Sequence, residues 1–143
     1  MPSSRRNWAR KSRPTGAARP PRRYLSGMAL KLTSRQQAQL TYLQGLPPKI
    51  DRIRSVIEQM AAQQADDTVV RGLGRLLDEV KAHAQGLGMT GIAESCGLMG
   101  TMSRRGGGLQ VKVRGLRELF GSLQINYDAA VKAASTPERA ADE

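Results

Sequence analysis

The stretch Asp78–Met89 (DEVKAHAQGLGM) gathers the residues of this chain that could do chemistry. It holds the only histidine, His83, with Asp78, Lys81, Gly86 and Gly88 around it. A histidine can act as nucleophile or proton carrier once a neighbouring group orients its ring. No carboxylate in the local sequence is placed to orient His83. It sits about 75° from the centre of its helix's apolar stripe. The expectation is therefore a half-buried structural histidine. Asp78 is central on the opposite, polar face. A lone surface aspartate means little by itself, but its neighbours give it weight.

Other chemistry is narrowly bounded. One cysteine, Cys96, excludes an internal disulfide and a cysteine-based zinc site. With one histidine besides, no transition-metal site of ordinary composition can be assembled, and a Ser-His-Asp arrangement could use only His83. Cys96 lies on an apolar stripe and is expected to be buried and inert. Gly72 and Gly74 sit within a helical pattern, and Gly106–Gly108 lack a following Lys-Ser/Thr, so no phosphate-cradling loop is present. No metal, no cofactor and no enzymatic activity is expected.

The elements that position these residues are helices. Thr33 and Gln36 have capping-box spacing, which starts a short helix running to about Gln44. Gly45-Leu46-Pro47-Pro48 breaks it. A second helix is expected from about Pro48 to Gln64, with Ile50, Ile53, Ile57 and Met60 as its stripe. The third starts at Asp66 or Asp67, both good N-caps. Its stripe is Val69, Leu73, Leu76, Leu77, Val80, Ala84 and Leu87, and Gly88 is a natural left-handed stop. Its polar face is Arg71, Gly74, Arg75, Asp78, Ala82 and Gln85, with Lys81 at the margin. A glycine inside a helix costs roughly 1 kcal/mol against alanine. Gly74 is read either as a tolerated imperfection on the exposed face or as the place where a partner nears the backbone.

A fourth helix is expected from about Thr90 to Arg104, with Ile92, Cys96, Met99 and Met102 inward. In the last, Leu109, Val113, Leu116, Phe120, Leu123, Tyr127, Ala130 and Ala134 form a heptad seam ended by Thr136-Pro137. Val111 and Ile125 fall off that seam. No segment alternates with period two. The expected fold is all-α: an antiparallel up-down four-helix bundle over 33–135 with a short extra N-terminal helix, and a frayed end at 136–143.

The net charge of +11 is misleading unless divided. Residues 1–27 carry +8 and no acid, which leaves +3 on the nearly balanced remainder. Residues 1–32 are read as a disordered basic tail. It is a plain solvated tail, or an upstream extension of a protein starting at Met28, or a weak electrostatic anchor to nucleic acid through residues 1–27. A targeting role is a third reading. The Arg-rich, acid-free composition fits a mitochondrial-type presequence, which needs a eukaryotic source. A twin-arginine signal is rejected, because no apolar segment follows Arg5-Arg6. No apolar run approaches the ~18 residues a membrane span needs, so a cytoplasmic, reducing setting is expected.

The stretch Asp78–Met89 resembles the signature helix of histidine-phosphotransfer (HPt) domains. There a phosphorylatable histidine is followed by Lys at +3, Gly at +4 and Leu-Gly at +9 and +10. Here Lys81 stands at +3, Ala82 replaces the glycine, and Leu87-Gly88 complete the pattern. The histidine position is held by Asp78. The resemblance covers roughly 33–134 and implies a bundle whose signature helix docks on a receiver domain or histidine kinase. A small residue at +4 admits the receiver's active site, which Ala82 nearly preserves, and Lys81 can stabilise a phosphoryl group. Asp78 cannot replace the histidine, because a carboxylate is a poor nucleophile and would give a labile acyl phosphate. The resemblance therefore implies a non-catalytic two-component module that docks through Arg71, Gly74, Arg75, Asp78, Lys81, Ala82 and Gln85. Two alternatives stay open. One is an active phosphotransfer protein using His83, which points about 140° away from Asp78 and looks poorly accessible. The other is a helical bundle tethered to nucleic acid by its Arg-rich tail.

Overall fold

A capping box opens the first helix. In the computed structural model, which describes residues 31–138, Thr33 Oγ1 accepts from the Gln36 amide at 3.0 Å and Gln36 Oε1 accepts from the Thr33 amide at 2.9 Å. Five helices follow: α1 (Ser34–Gln44), α2 (Pro47–Ala61), α3 (Asp67–Gly86), α4 (Thr90–Arg104) and α5 (Leu109–Ser135). No strand occurs among the described residues. Residues Thr33–Thr136 form one compact unit, and the remainder lies largely outside the described residues. The reading of residues 1–27 falls there too. Among the described residues, no helix is long and apolar enough to cross a membrane.

Local sequence explains the boundaries. Pro47 opens α2 one residue earlier than expected, because a proline at N1 loses no helical hydrogen bond. The same helix ends at Ala61, three residues short of Gln64. There Gln63 adopts φ of +59°, a left-handed conformation that stops the helix without a glycine. Asp66 caps α3 by accepting from the Val69 amide at 2.9 Å. The end of α3 is a Schellman turn: Met89 N–H donates to Ala84 at 2.8 Å and Gly88 N–H to Gln85 at 3.1 Å, with Gly88 at φ +77°. That turn reverses the chain within four residues and starts α4 against α3.

The α2 stripe is wholly buried, with Val56 added to it. Leu73, Leu77, Val80 and Ala84 line the core from α3, and Ile92, Cys96 and Met99 from α4. In the seam of α5 Val113, Leu116, Phe120, Leu123 and Ala134 are buried, and Tyr127 and Ala130 pack half-buried against the core. Leu109 is exposed, because the first turn of α5 runs past the packed part of α4. Val111 and Ile125 are exposed, as their positions off the seam implied. The helices pack as α3 on α4, α4 on α5, and α2 on both α3 and α5.

The short α1 ties one end together. Gln36 Nε2 donates to the Ala133 and Thr136 carbonyls at 3.1 and 2.6 Å at the end of α5. Gln39 Nε2 donates to Leu87 O in the α3–α4 turn at 2.7 Å. Tyr127 hydroxyl donates to Leu43 O at 3.0 Å.

Gln36 is 2 % exposed, so its replacement removes a buried donor to both carbonyls as well as breaking the capping box. Gln36→Ala is expected to destabilise the fold by about 1–3 kcal/mol. Urea titration followed by far-ultraviolet circular dichroism measures this. An unchanged midpoint would mean that α1 contributes nothing to the stability of the other helices.

Candidate functional site

α3 and α4 meet through glycines. A methyl placed on Gly100 would lie 4.0 Å from Leu77 Cβ, 3.6 Å from Asp78 Oδ1 and 3.3 Å from Arg104 Nη1. One placed on Gly97 would lie 3.5 Å from Lys81 Cδ and Cε. With hydrogen at both positions, α4 lets the α3 side chains lie flat across it. Across the same seam Arg104 reaches back over α3. Its Nη2 donates to Asp78 Oδ2 at 2.5 Å and to the Gly74 carbonyl at 3.3 Å.

This changes the expected polar face in two ways. Arg71, Arg75, Asp78, Lys81, Ala82 and Gln85 are exposed along α3, but Gly74 is buried. Helical periodicity places Gly74 outward, and the Arg104 guanidinium covers it, 3.2 Å from where a Cβ would be. The group that approaches this glycine belongs to the chain itself. Asp78, expected to face outward toward a partner, is ion-paired to Arg104. Arg104 stands in the last turn of α4, where its charge also suits the helix dipole. Its 26-residue separation from Asp78 hides the pairing from local spacing.

Lys81 differs as well. Its stem crosses Gly97, and its amine lies 3.6 Å from that residue's notional Cβ. One shallow groove of the seam is lined by Lys81, Gln85, Thr90, Ala93 and Glu94, and another by Val70, Arg71, Gly74, Arg75, Ser103 and Arg104.

His83 is exposed, against the expectation of a half-buried ring with poor access. The edge of the apolar stripe is covered there only by Tyr42 of α1, whose ring stacks on the imidazole at 5.3 Å and 29°. Nδ1 lies 3.1 Å from the Glu79 carbonyl. When Nδ1 carries the proton it donates to that carbonyl, and Nε2 keeps the lone pair. A backbone carbonyl thus supplies the orienting group that no local carboxylate could. Glu79 itself pairs with Lys49 of α2 at 2.7 Å. The hydrogen bond and charge of Lys49 hold its carboxyl below the usual range.

The remaining polar groups have structural surroundings. Burial pushes the Tyr42 phenol up to about 12, with smaller contributions from Cys96 and Glu79. Its hydroxyl has no hydrogen-bond partner among the described residues. Burial alone pushes the Cys96 thiol up to about 12. Asn126 of α5 donates to Gly91 O at 3.1 Å and to Ser95 Oγ at 2.8 Å, which holds α5 to the start of α4. Lys112 donates to Ser103 O at 3.4 Å at the other end of α4. Among the described residues no cluster of His, Cys, Asp or Glu could hold a metal ion.

No known family, curated protein or solved structure matches the chain. The functional reading therefore rests on this geometry and on the resemblance of residues 78–89.

Two outcomes are expected here. Asp78 and Arg104 side chains are 58 % and 54 % exposed, so their pair contributes little to stability. A double-mutant cycle of Asp78→Ala with Arg104→Ala should give a coupling of about 0.2–1 kcal/mol. A coupling several times larger would make the pair a structural lock. Cys96, fully buried, should react with a thiol reagent at pH 8 far more slowly in the native chain than in urea. The sign with pH follows from its raised value. An unfolded thiol ionises near 9.0 and the folded one only near 12, so its contribution to stability is lost as pH rises through that window. A Cys96→Ala chain should lose less stability than the parent chain between pH 8 and 10.5.

Proposed function

We propose that this chain is a non-catalytic module of the histidine-phosphotransfer type, which docks on a receiver domain or histidine kinase through the outward face of α3. The observation that carries this reading is Asp78. It occupies the position of the phosphoacceptor, and its carboxylate is already engaged by Arg104. A carboxylate held this way is a poor nucleophile. The small Ala82 beside it is exposed, and so are Arg71, Arg75, Lys81 and Gln85. The face thus keeps an open approach while lacking the group that would carry the phosphoryl.

The order of contacts supports the antiparallel up-down bundle that this reading requires. Early α4 meets late α5 through Gly91 and Asn126, and late α4 meets early α5 through Ser103 and Lys112. Glu58 near the end of α2 pairs with Arg117 in the first half of α5 at 2.9 Å. On this reading α1 is the short extra helix, and α2 to α5 form the bundle.

A binding titration against purified receiver domains of the same genome tests the reading. At least one should bind, and Arg75→Glu with Lys81→Glu should weaken it by ~10-fold or more, the loss of two charge-assisted contacts. Binding to none, or binding indifferent to the double change, contradicts it.

A second reading is favoured by the exposure of His83. With Nδ1 bonded to the Glu79 carbonyl, Nε2 is free to attack a phosphoryl group. His83 would then serve as the acceptor on the flank of α3 that faces α1. Incubation with a phosphorylated receiver decides between the two. Acid-labile protein phosphate that His83→Ala abolishes supports the second reading, and its absence supports the first.

A further inference from the structure

The groove lined by Val70, Arg71, Gly74, Arg75, Ser103 and Arg104 has three arginines in its wall. Arg71 and Arg75 are one turn apart on α3, a like-charge spacing that disfavours the helix slightly. Among the described residues neither makes an ion pair. The nearby acids of α3 are committed elsewhere: Asp78 to Arg104, Glu79 to Lys49, and Asp66 to the helix cap. Among the described residues Asp67 makes no ion pair, and it does not line the groove. Three arginines therefore line a hollow at whose margin Asp78 is engaged by Arg104.

We propose that this groove receives a carboxylate side chain of an acidic protein segment, with Asp78 occupying Arg104 until that segment arrives. The proposal deepens the docking reading of α3, on which it rests, by naming the chemistry of the partner. The occupant is argued from the site itself. Arg104 already binds one carboxylate here, in a geometry that also uses the Gly74 carbonyl. Arginine presents a planar fork that matches a carboxylate. Val70 supplies an apolar wall for the stem of a Glu or Asp, which a bare anion would not use. The incoming acid would pair with Arg71 and Arg75 first and then compete with Asp78 for Arg104.

Side-chain NMR of the full chain tests this, reading the arginine Nε–Hε signals while a hexaglutamate peptide is titrated in. Saturable shifts are expected at Arg71, Arg75 and Arg104. Arg71→Ala with Arg75→Ala should weaken binding roughly tenfold. Asp78→Asn should tighten it, by roughly two- to fivefold, the size of one exposed ion pair. Arg71→Lys with Arg75→Lys keeps the charge and should retain part of the affinity. Shifts confined to arginines of residues 1–27 would overturn the proposal, as would unchanged or weaker binding by Asp78→Asn. Inorganic phosphate alone giving the same shifts at equal affinity would overturn the assignment to a carboxylate. The peptide experiment uses no receiver. Hexaglutamate binding without any receiver binding would thus sink the docking reading alone, and receiver binding with no groove shifts would sink this proposal alone.

Discussion

The closeness of α3 to α4 is the constraint on which the rest of the candidate site depends. At Gly97 an added Cβ would make ordinary contact with Lys81 across the seam, and at Gly100 it would crowd the guanidinium of Arg104 on the same helix. Because α4 is bare there, Arg104 can lie back across the seam and reach both Asp78 and the carbonyl of Gly74. The tight turn at Leu87-Gly88 enforces this geometry. Its left-handed glycine lets the chain reverse without a loop, so α4 begins already packed against α3. Glycine here works through what its missing side chain admits.

The consequence for chemistry is a face that is open but occupied. Asp78 is exposed, and a guanidinium holds its carboxylate. Exposed ion pairs of this kind are weak, so an incoming charge can compete with this one at small cost. His83 shows the opposite arrangement on another flank of the same helix. Its ring is oriented by stacking and by a carbonyl, and its second nitrogen is left available. One helix thus carries a neutralised acid on one side and an oriented imidazole on the other. The first suits recognition, and the second suits group transfer.

Much of the helical framework was legible from residue spacing. The stripe of α2, the caps of α1 and α3, and the left-handed stop at Gly88 all follow from local rules that act over one or two turns. What spacing missed was set across helices. Gly74 sits outward by periodicity and is buried because Arg104, thirty residues on, folds over it. His83 sits at a stripe edge and is exposed, with the Tyr42 ring of the short α1 stacked on it. Gln36 was legible as a cap but not as the donor that closes α5, a contact across 97 and 100 residues. A helical wheel describes one cylinder, and each of these positions depends on what a second cylinder places over it.

On the function proposed above, partners meet this chain through the outward face of α3. Site-specific photocrosslinking to a purified receiver domain tests it most directly. A benzophenone side chain would be placed at Ala82 on α3 in one chain and at Ile125 on the outward side of α5 in another; both positions are exposed. The account predicts adducts from position 82 and none from position 125. Adducts from position 125 alone, or from neither with a receiver that binds, would contradict it.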